Sequence, residues 1–248
     1  MVLRRAIRLL CALLAAVLCF GVVNADMQQL KREIEVLQKE VSDAQSKQSE
    51  ADKALRENLD AQRTAQGKDL EALKQKAQTL ARNAFRLTEN VREARQKLAG
   101  KQGELRNEAS SQAVNQVSAG GDLGGRVDSA RAAIADWKAA IGEIPQAPQA
   151  RDLTGIPADD RDAFRKTDIS RLKDYESWAE AELKRIDNEV KAADKLAGWN
   201  VATAKNGASL TSEAKSLKTS LEARRKSVQA AQSSAKSTRE AIEKQIGR

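Results

Sequence analysis

The side chains that most often serve as nucleophiles, general bases or metal ligands are scarce in this 248-residue chain. Histidine is absent, and both cysteines, Cys11 and Cys19, lie in an apolar N-terminal segment. If that segment is removed, the chain has no candidates for Ser–His or Cys–His nucleophile pairs or for the common zinc sites. Carboxylates are abundant, but they are spread along polar faces among Lys and Arg, without the cleft that acid–base chemistry needs.

Two local motifs could be mistaken for ligand-binding loops. Asp159, Asp160 and Asp162 form an acidic cluster, but they lack the ligand spacing of a calcium loop and suit a helix N-terminus, where negative charge is favourable. The glycines of residues 120–125 lack the Gly-Lys-Ser/Thr ending and the preceding strand of a phosphate loop. We therefore predict that the protein is not an enzyme and that it binds no cofactor or metal.

Positive charge is concentrated at the end of the chain. Residues 214–248 contain nine Lys and Arg against three Glu, and Arg224, Arg225 and Lys226 are consecutive. A basic amphipathic helix can lie on an anionic membrane surface, so these three residues are candidate surface contacts. The alternative is a solvated face of one more bundle helix. Nucleic acid is not expected as a partner, because this segment has no aromatic side chain to stack on bases.

One aromatic residue stands apart from the predicted helical seams. Trp137 and Trp178 fall on apolar helix faces and are interpreted as core residues. Trp199 follows Gly198 at a predicted bend, where no seam accounts for it. It is therefore the aromatic residue that we select as a candidate partner contact.

The first 25 residues predict a secretory signal peptide. Three arginines precede an apolar run over residues 9–23, and Val23 and Ala25 place small residues at the −3 and −1 positions of a cleavage site. The apolar run is shorter than the roughly 20 residues that a membrane-spanning helix needs. We expect a mature chain that begins at Asp26, has no transmembrane segment and is exported to the periplasm or the extracellular space.

Two stretches of the mature chain carry apolar residues at alternating spacings of three and four. The first contains Met27, Leu30, Ile34, Leu37, Val41, Ala44, Ala51 and Leu55, and the second contains Leu70, Leu73, Ala77, Leu80, Ala84, Leu87, Val91, Ala94 and Leu98. This average of 3.5 residues keeps one face of a helix towards a partner, which is the condition for a coiled coil. Protein partners, with a second copy of this chain among the candidates, are therefore expected to bind through these helices.

The two coiled-coil stretches are out of phase by one residue. A continuous helix could absorb the difference as stutters, or residues 56–69 could reverse the chain into an antiparallel hairpin. Because this segment contains no proline and only Gly67 as a glycine, the sequence favours the continuous helix. Gly100 is then placed to end it.

The remaining signals complete an all-α prediction. The coiled-coil region covers residues 26–118, a glycine-rich hinge covers 119–125, and a helical bundle covers 126–248 with a proline-containing connector at 143–156. The central helix of the bundle region has a predicted seam, which consists of Ile169, Leu172, Ala179, Leu183, Ile186, Val190, Ala193 and Ala197. No sustained alternation of period two predicts a strand. The expected fold is thus a long coiled-coil helix or helical hairpin followed by an extended helical bundle, after a cleaved signal peptide.

These features favour an exported coiled-coil protein that acts as a scaffold, spacer or assembly subunit in the cell envelope or secreted space. A surface or secreted helical-bundle binding module, of the receptor or adhesin type, is one alternative. A periplasmic holdase chaperone is another. The identity of the partner is not encoded in any motif.

Overall fold

The regular secondary structure in the described part of the chain consists of helices. The computed structural model describes residues 2–150 and 158–246, with side chains for residues 26–150 and 161–246. The helices are α1 (Val2–Gln62), α2 (Gly67–Ser118), α3 (Leu123–Ala139), α4 (Ala158–Ala197) and α5 (Gly207–Glu243). The structure is 85% helical and its described residues form no strand, which confirms the all-α prediction.

The chain forms two compact units, which are described separately. Unit 1 is Met1–Gln102 and unit 2 is Gly103–Arg248, so α2 contributes its N-terminal part to unit 1 and its last turns to unit 2. The predicted signal peptide falls on the N-terminal part of α1, whose side chains are outside the described set. Its cleavage remains a prediction.

Unit 1 contains an antiparallel helical hairpin, so the prediction of a continuous helix through residues 56–69 is wrong. Contacts between the arms recede along α2 as they advance along α1. The Glu33 carboxylate and the Lys101 ammonium group are 3.0 Å apart, and the Gln48 amide donates to the Thr88 hydroxyl at 3.1 Å. Near the turn, the Gln62 amide donates to the Leu73 carbonyl at 3.4 Å.

The hairpin has a clear physical cause. Reversal of the chain lets its two apolar runs cover one another, whereas a single straight helix would leave both runs in water. At the reversal, Gly67 has a φ of 58°, a left-handed conformation that glycine adopts without steric cost. The out-of-phase spacing that suggested a stutter is therefore the spacing of a turn.

Helix α2 does not end at Gly100, contrary to the sequence prediction. It continues through Gly100 and Gly103 to Ser118. A glycine inside a helix costs about 1 kcal/mol relative to alanine, a loss that burial of Leu105 and Ala109 can offset. A Cβ atom at Gly103 would overlap the guanidinium group of Arg185 on α4, so glycine permits this close approach.

Unit 2 combines the end of α2 with α3, α4 and α5. The buried face of α5 includes Leu210, Ala214, Leu217, Leu221, Arg224, Val228, Ala235 and Ile242. The buried face of α4 includes Asp168, Leu172, Tyr175, Ala179, Glu182, Ile186, Glu189, Ala193 and Leu196. The predicted α4 seam is therefore partly wrong, because Leu183 and Val190 are only half-buried while Glu182 and Glu189 are inside.

The connections in unit 2 are ordered by polar contacts. Asp122 caps α3 by accepting a hydrogen bond from the Gly125 amide at 2.8 Å, so α3 begins within the predicted hinge 119–125. The Tyr175 hydroxyl donates to the Pro145 carbonyl at 2.8 Å, which fixes the start of the connector against α4. Residues 151–156 of the connector lie outside the described residues.

Candidate functional site

A network of charged side chains lies inside unit 2, where a helical bundle would ordinarily be apolar. Arg106 of α2 donates to Glu182 at 2.6 Å and to Glu189 at 2.9 Å, and both carboxylates belong to α4. Arg224 of α5 also donates to Glu182, at 2.9 Å, and Arg185 of α4 donates to its second oxygen. The side chains of Arg106, Glu182 and Glu189 are at most 1% exposed. Three guanidinium groups on three helices thus converge on Glu182.

The network occupies positions that the heptad pattern reserves for the core. Glu182 and Glu189 are seven residues apart on the buried face of α4, and Arg224 takes the seam position between Leu221 and Val228 of α5. Arg224 also donates to the carbonyl of Gly142 at 2.6 Å, which ties the segment after α3 to the same network. Glu182 and Arg224 together therefore connect α2, α4, α5 and the segment after α3.

Burial and charge act in opposite directions on the two carboxylates. For Glu182, burial raises the pKa, but the surrounding charges of Arg106, Arg224 and Arg185 outweigh it and leave the pKa lowered. For Glu189, burial raises the pKa, and Arg106 does not fully offset this effect. Glu189 Oε2 receives no hydrogen bond from the described residues. Glu182 is thus held as an anion, whereas Glu189 is the weaker partner.

The network restricts how the helices can align. Seams of Ala and Leu with a seven-residue repeat fit together in several registers, and a buried polar group is a known means of selecting one. Arg106 spans Glu182 and Glu189, so a shift of α2 by one heptad along α4 would remove one of its two acceptors. Such buried ion pairs contribute little net stability compared with apolar packing, but breaking one is costly. The arrangement fits a structural role in selecting register.

The three consecutive cations of α5 do not share one environment. Arg224 is buried, 8% exposed, and belongs to the network, so it is not accessible to an anionic surface. The Arg225 side chain is 47% exposed and forms an ion pair with Asp187 at 3.2 Å, and Lys226 is exposed. The candidate surface contacts are reduced to these two residues.

Trp199 is half-buried at the bend after α4, and it is covered by another side chain. The Arg126 guanidinium lies 5.1 Å from the centre of its ring, a cation–π distance. Arg126 also donates to the carbonyls of Gln116 and Val117, both at 2.8 Å, and so caps the C-terminal end of α2. This arrangement gives Trp199 a structural role as the support on which Arg126 rests.

Unit 1 offers an apolar surface that its own two helices do not fully cover. Leu73, Leu80 and Leu87 recur every seven residues on α2 and are all half-buried rather than buried. On α1, Val36 is 58% exposed and lines a groove of about 540 Å³ together with Leu37 and the Glu33–Lys101 pair. A further helix could bury these groups.

Known proteins provide no assignment for this arrangement. Comparisons with protein-family models, with curated protein sequences and with solved structures gave no match. Among the residues that the structure describes, no helix is long and apolar enough to cross a membrane. The same residues contain no group of three or more Asp, Glu, Cys or His side chains placed to hold a metal ion.

Sequence reasoning did not identify the charged network. The signal was present, because Glu182, Glu189 and Arg224 all stand at core positions once the correct seam is traced. It was missed because the predicted seam was traced through apolar residues alone, so charged residues at core positions were passed over. Arg106 lies beyond the second apolar run, which ends at Leu98, and no pattern around it indicates its partners.

Proposed function

We propose that the mature chain is an exported, non-enzymatic helical scaffold or assembly subunit of the cell envelope or secreted space. Its partner-binding part is the hairpin of unit 1, and unit 2 is a helical bundle whose internal alignment is set by the charged network. Periplasm and extracellular space are both compatible with this role.

The observation that carries the proposal is the incomplete cover of the hairpin leucines. In a hairpin that needed no partner, the row of Leu73, Leu80 and Leu87 would be buried between the arms, as Ala84 and Val91 are. These leucines remain half-buried instead. Burial of apolar area by another helix is worth about 25 cal/mol per Å², so this row favours association.

The charged side chains of unit 2 also support a non-enzymatic role. The carboxylate with the lowered pKa, Glu182, is occupied by three guanidinium groups and is only 1% exposed. A catalytic carboxylate needs access to a substrate and freedom to exchange a proton. Perturbed groups can belong to structural ion-pair networks, and this geometry favours that interpretation.

In-cell cross-linking tests the scaffold proposal. A photoreactive residue at Ala81, which is exposed beside Leu80, should give a discrete protein adduct in the exported fraction. The matched control is the same group at Gln75, which is also exposed but lies about 140° around α2 from Leu80. Absence of adducts from Ala81, or equal adducts from both positions, would contradict the proposal.

A further inference from the structure

We propose that the partner of the hairpin is the hairpin of a second copy of this chain, packed so that α1 of each copy lies against α2 of the other. This inference rests on the proposed scaffold function and names its partner. It is carried by two independent features of unit 1, the half-covered leucines and the distribution of charge between the arms.

The apolar feature is present on both arms. Leu37 and Leu55 of α1 are half-buried, as are Leu73, Leu80 and Leu87 of α2. Two hairpins that met along these rows would form four helices around one apolar centre. Antiparallel four-helix bundles of this kind bury such rows between neighbouring helices.

The charge feature selects a second copy over an unrelated helix. The arm of residues 26–62 has nine Asp and Glu against six Lys and Arg, whereas the arm of residues 67–102 has nine Lys and Arg against four Asp and Glu. One arm is acidic and the other is basic. A chain of this kind is complementary to itself, because each arm of one copy attracts the opposite arm of the other.

The individual charges that flank the apolar rows have the same signs as the net charges of their arms. Lys76 stands three residues after Leu73, and Lys97 stands three residues after Ala94, whereas Glu40 stands three residues after Leu37. All three charged side chains are exposed. Charges that flank a helical seam in this way determine which helices pair and in what orientation. A two-fold arrangement, in which the same surface is used by both copies, satisfies both arms at once.

Two charge-reversal variants of the full mature chain test the proposal. The acidic variant carries Lys74→Glu, Lys76→Glu and Lys97→Glu, and the basic variant carries Glu40→Lys, Asp43→Lys and Glu50→Lys. Both arms of the acidic variant are then net negative, and both arms of the basic variant are net positive. Each variant should repel its own copies, whereas a mixed pair places negative arms against positive arms.

We expect the wild-type mature chain to sediment as a dimer at low salt. Each variant alone should show a dimer dissociation constant raised by more than about tenfold, and an equimolar mixture should restore the dimer. Repulsion within each hairpin is the same before and after mixing, so recovery reports contact between chains. Helicity of each variant is followed by circular dichroism, and a loss that mixing repairs also supports the pairing.

Three outcomes would overturn the inference: a monomeric wild type at all concentrations, variants that dimerise like the wild type, or a mixture that behaves as its components do. Cross-linking from Ala81 separates this failure from that of the scaffold function. Adducts only to a different protein would support the scaffold function and contradict the pairing of two copies of this chain. Absence of any adduct would contradict both proposals.

Discussion

Glu182 and Glu189 lie seven residues apart on the same buried face of α4 and share Arg106 as a partner, yet their pKa values move in opposite directions. Burial raises the pKa of both carboxyl groups. Glu182 differs because Arg185 and Arg224 also donate to it. The number of guanidinium partners, rather than burial alone, therefore decides which carboxylate has the lowered pKa.

The first prediction compares neutralisation of these two carboxylates. Glu182→Gln should lower the free energy of unfolding by about 3–5 kcal/mol, because it leaves buried guanidinium groups without their common anion. Glu189→Gln should cost much less, because its raised pKa shows that burial already disfavours the Glu189 charge and because Glu182 still pairs with Arg106. Urea denaturation at neutral pH measures both, with the exposed Glu180→Gln as a control. Equal losses in the two variants would contradict the assigned hierarchy.

The second prediction concerns pH. The lowered pKa of Glu182 adds stability that is present above the ordinary glutamate value of 4.5 and is lost as the pH falls through the folded-state pKa. The raised pKa of Glu189 acts with the opposite sign, since its contribution is complete below 4.5 and is lost as the pH rises through its folded-state pKa. The advantage of wild type over Glu182→Gln should therefore shrink on acidification. The free energy of unfolding of the wild type minus that of Glu189→Gln should fall as the pH rises above 4.5. If neither difference changed with pH, the two assignments would be refuted.

The third prediction uses two glycines in α2. No atom lies near a Cβ at Gly100, so Gly100→Ala should stabilise the protein by up to about 1 kcal/mol through helix propensity. Gly103→Ala has the same intrinsic gain, but its methyl group would displace Arg185 from Glu182. Thermal denaturation should therefore rank Gly103→Ala below Gly100→Ala. In an Arg185→Ala background the two substitutions should become equal, and a persistent difference would count against this contact.

The sequence predicted the helices better than their faces and connections. The apolar spacing of residues 27–55 and 70–98 correctly indicated two helical arms, because helix periodicity is a local property. The reversal at residues 63–66 belonged to the hairpin alternative, which the sequence did not favour, because the turn contains no proline and Gly67 is the glycine beside it that adopts a left-handed φ. Its stability comes from contact between the arms, which no local pattern contains.

The candidate site was predicted in part. Arg225 and Lys226 are exposed as expected, whereas Arg224, beside them in sequence, is buried. Its spacing of three from Leu221 and four from Val228 placed it in the seam, but burial of a charge is credible only when partners are known. Those partners come from α2 and α4, so the three-dimensional arrangement was needed to find them.

The fourth prediction tests export. The exported form should begin at Asp26, because Val23 and Ala25 provide small residues for cleavage. N-terminal sequencing or intact mass of the exported protein measures this directly, and Ala25→Arg should slow processing and accumulate the precursor. A full-length product that begins at Met1 and remains in the membrane would contradict the signal-peptide interpretation.

The last prediction tests the hypothesis that α5 contacts an anionic surface. Arg225 and Lys226 are exposed, and each cation near an anionic membrane adds about 1 kcal/mol of attraction. The double variant Arg225→Gln, Lys226→Gln should then bind anionic vesicles up to about thirtyfold more weakly, although the Asp187 pair reduces the share of Arg225. Co-sedimentation with anionic and neutral vesicles measures this, and binding should weaken as salt shortens the Debye length from about 10 Å at 0.1 M to about 3 Å at 1 M. The matched control removes two exposed cations of α4, in Lys166→Gln, Lys184→Gln. The hypothesis is contradicted if the control variant loses as much affinity for anionic vesicles, or if the protein binds neutral vesicles equally well. In that case α5 is a bundle helix whose cations face solvent and bind no membrane surface.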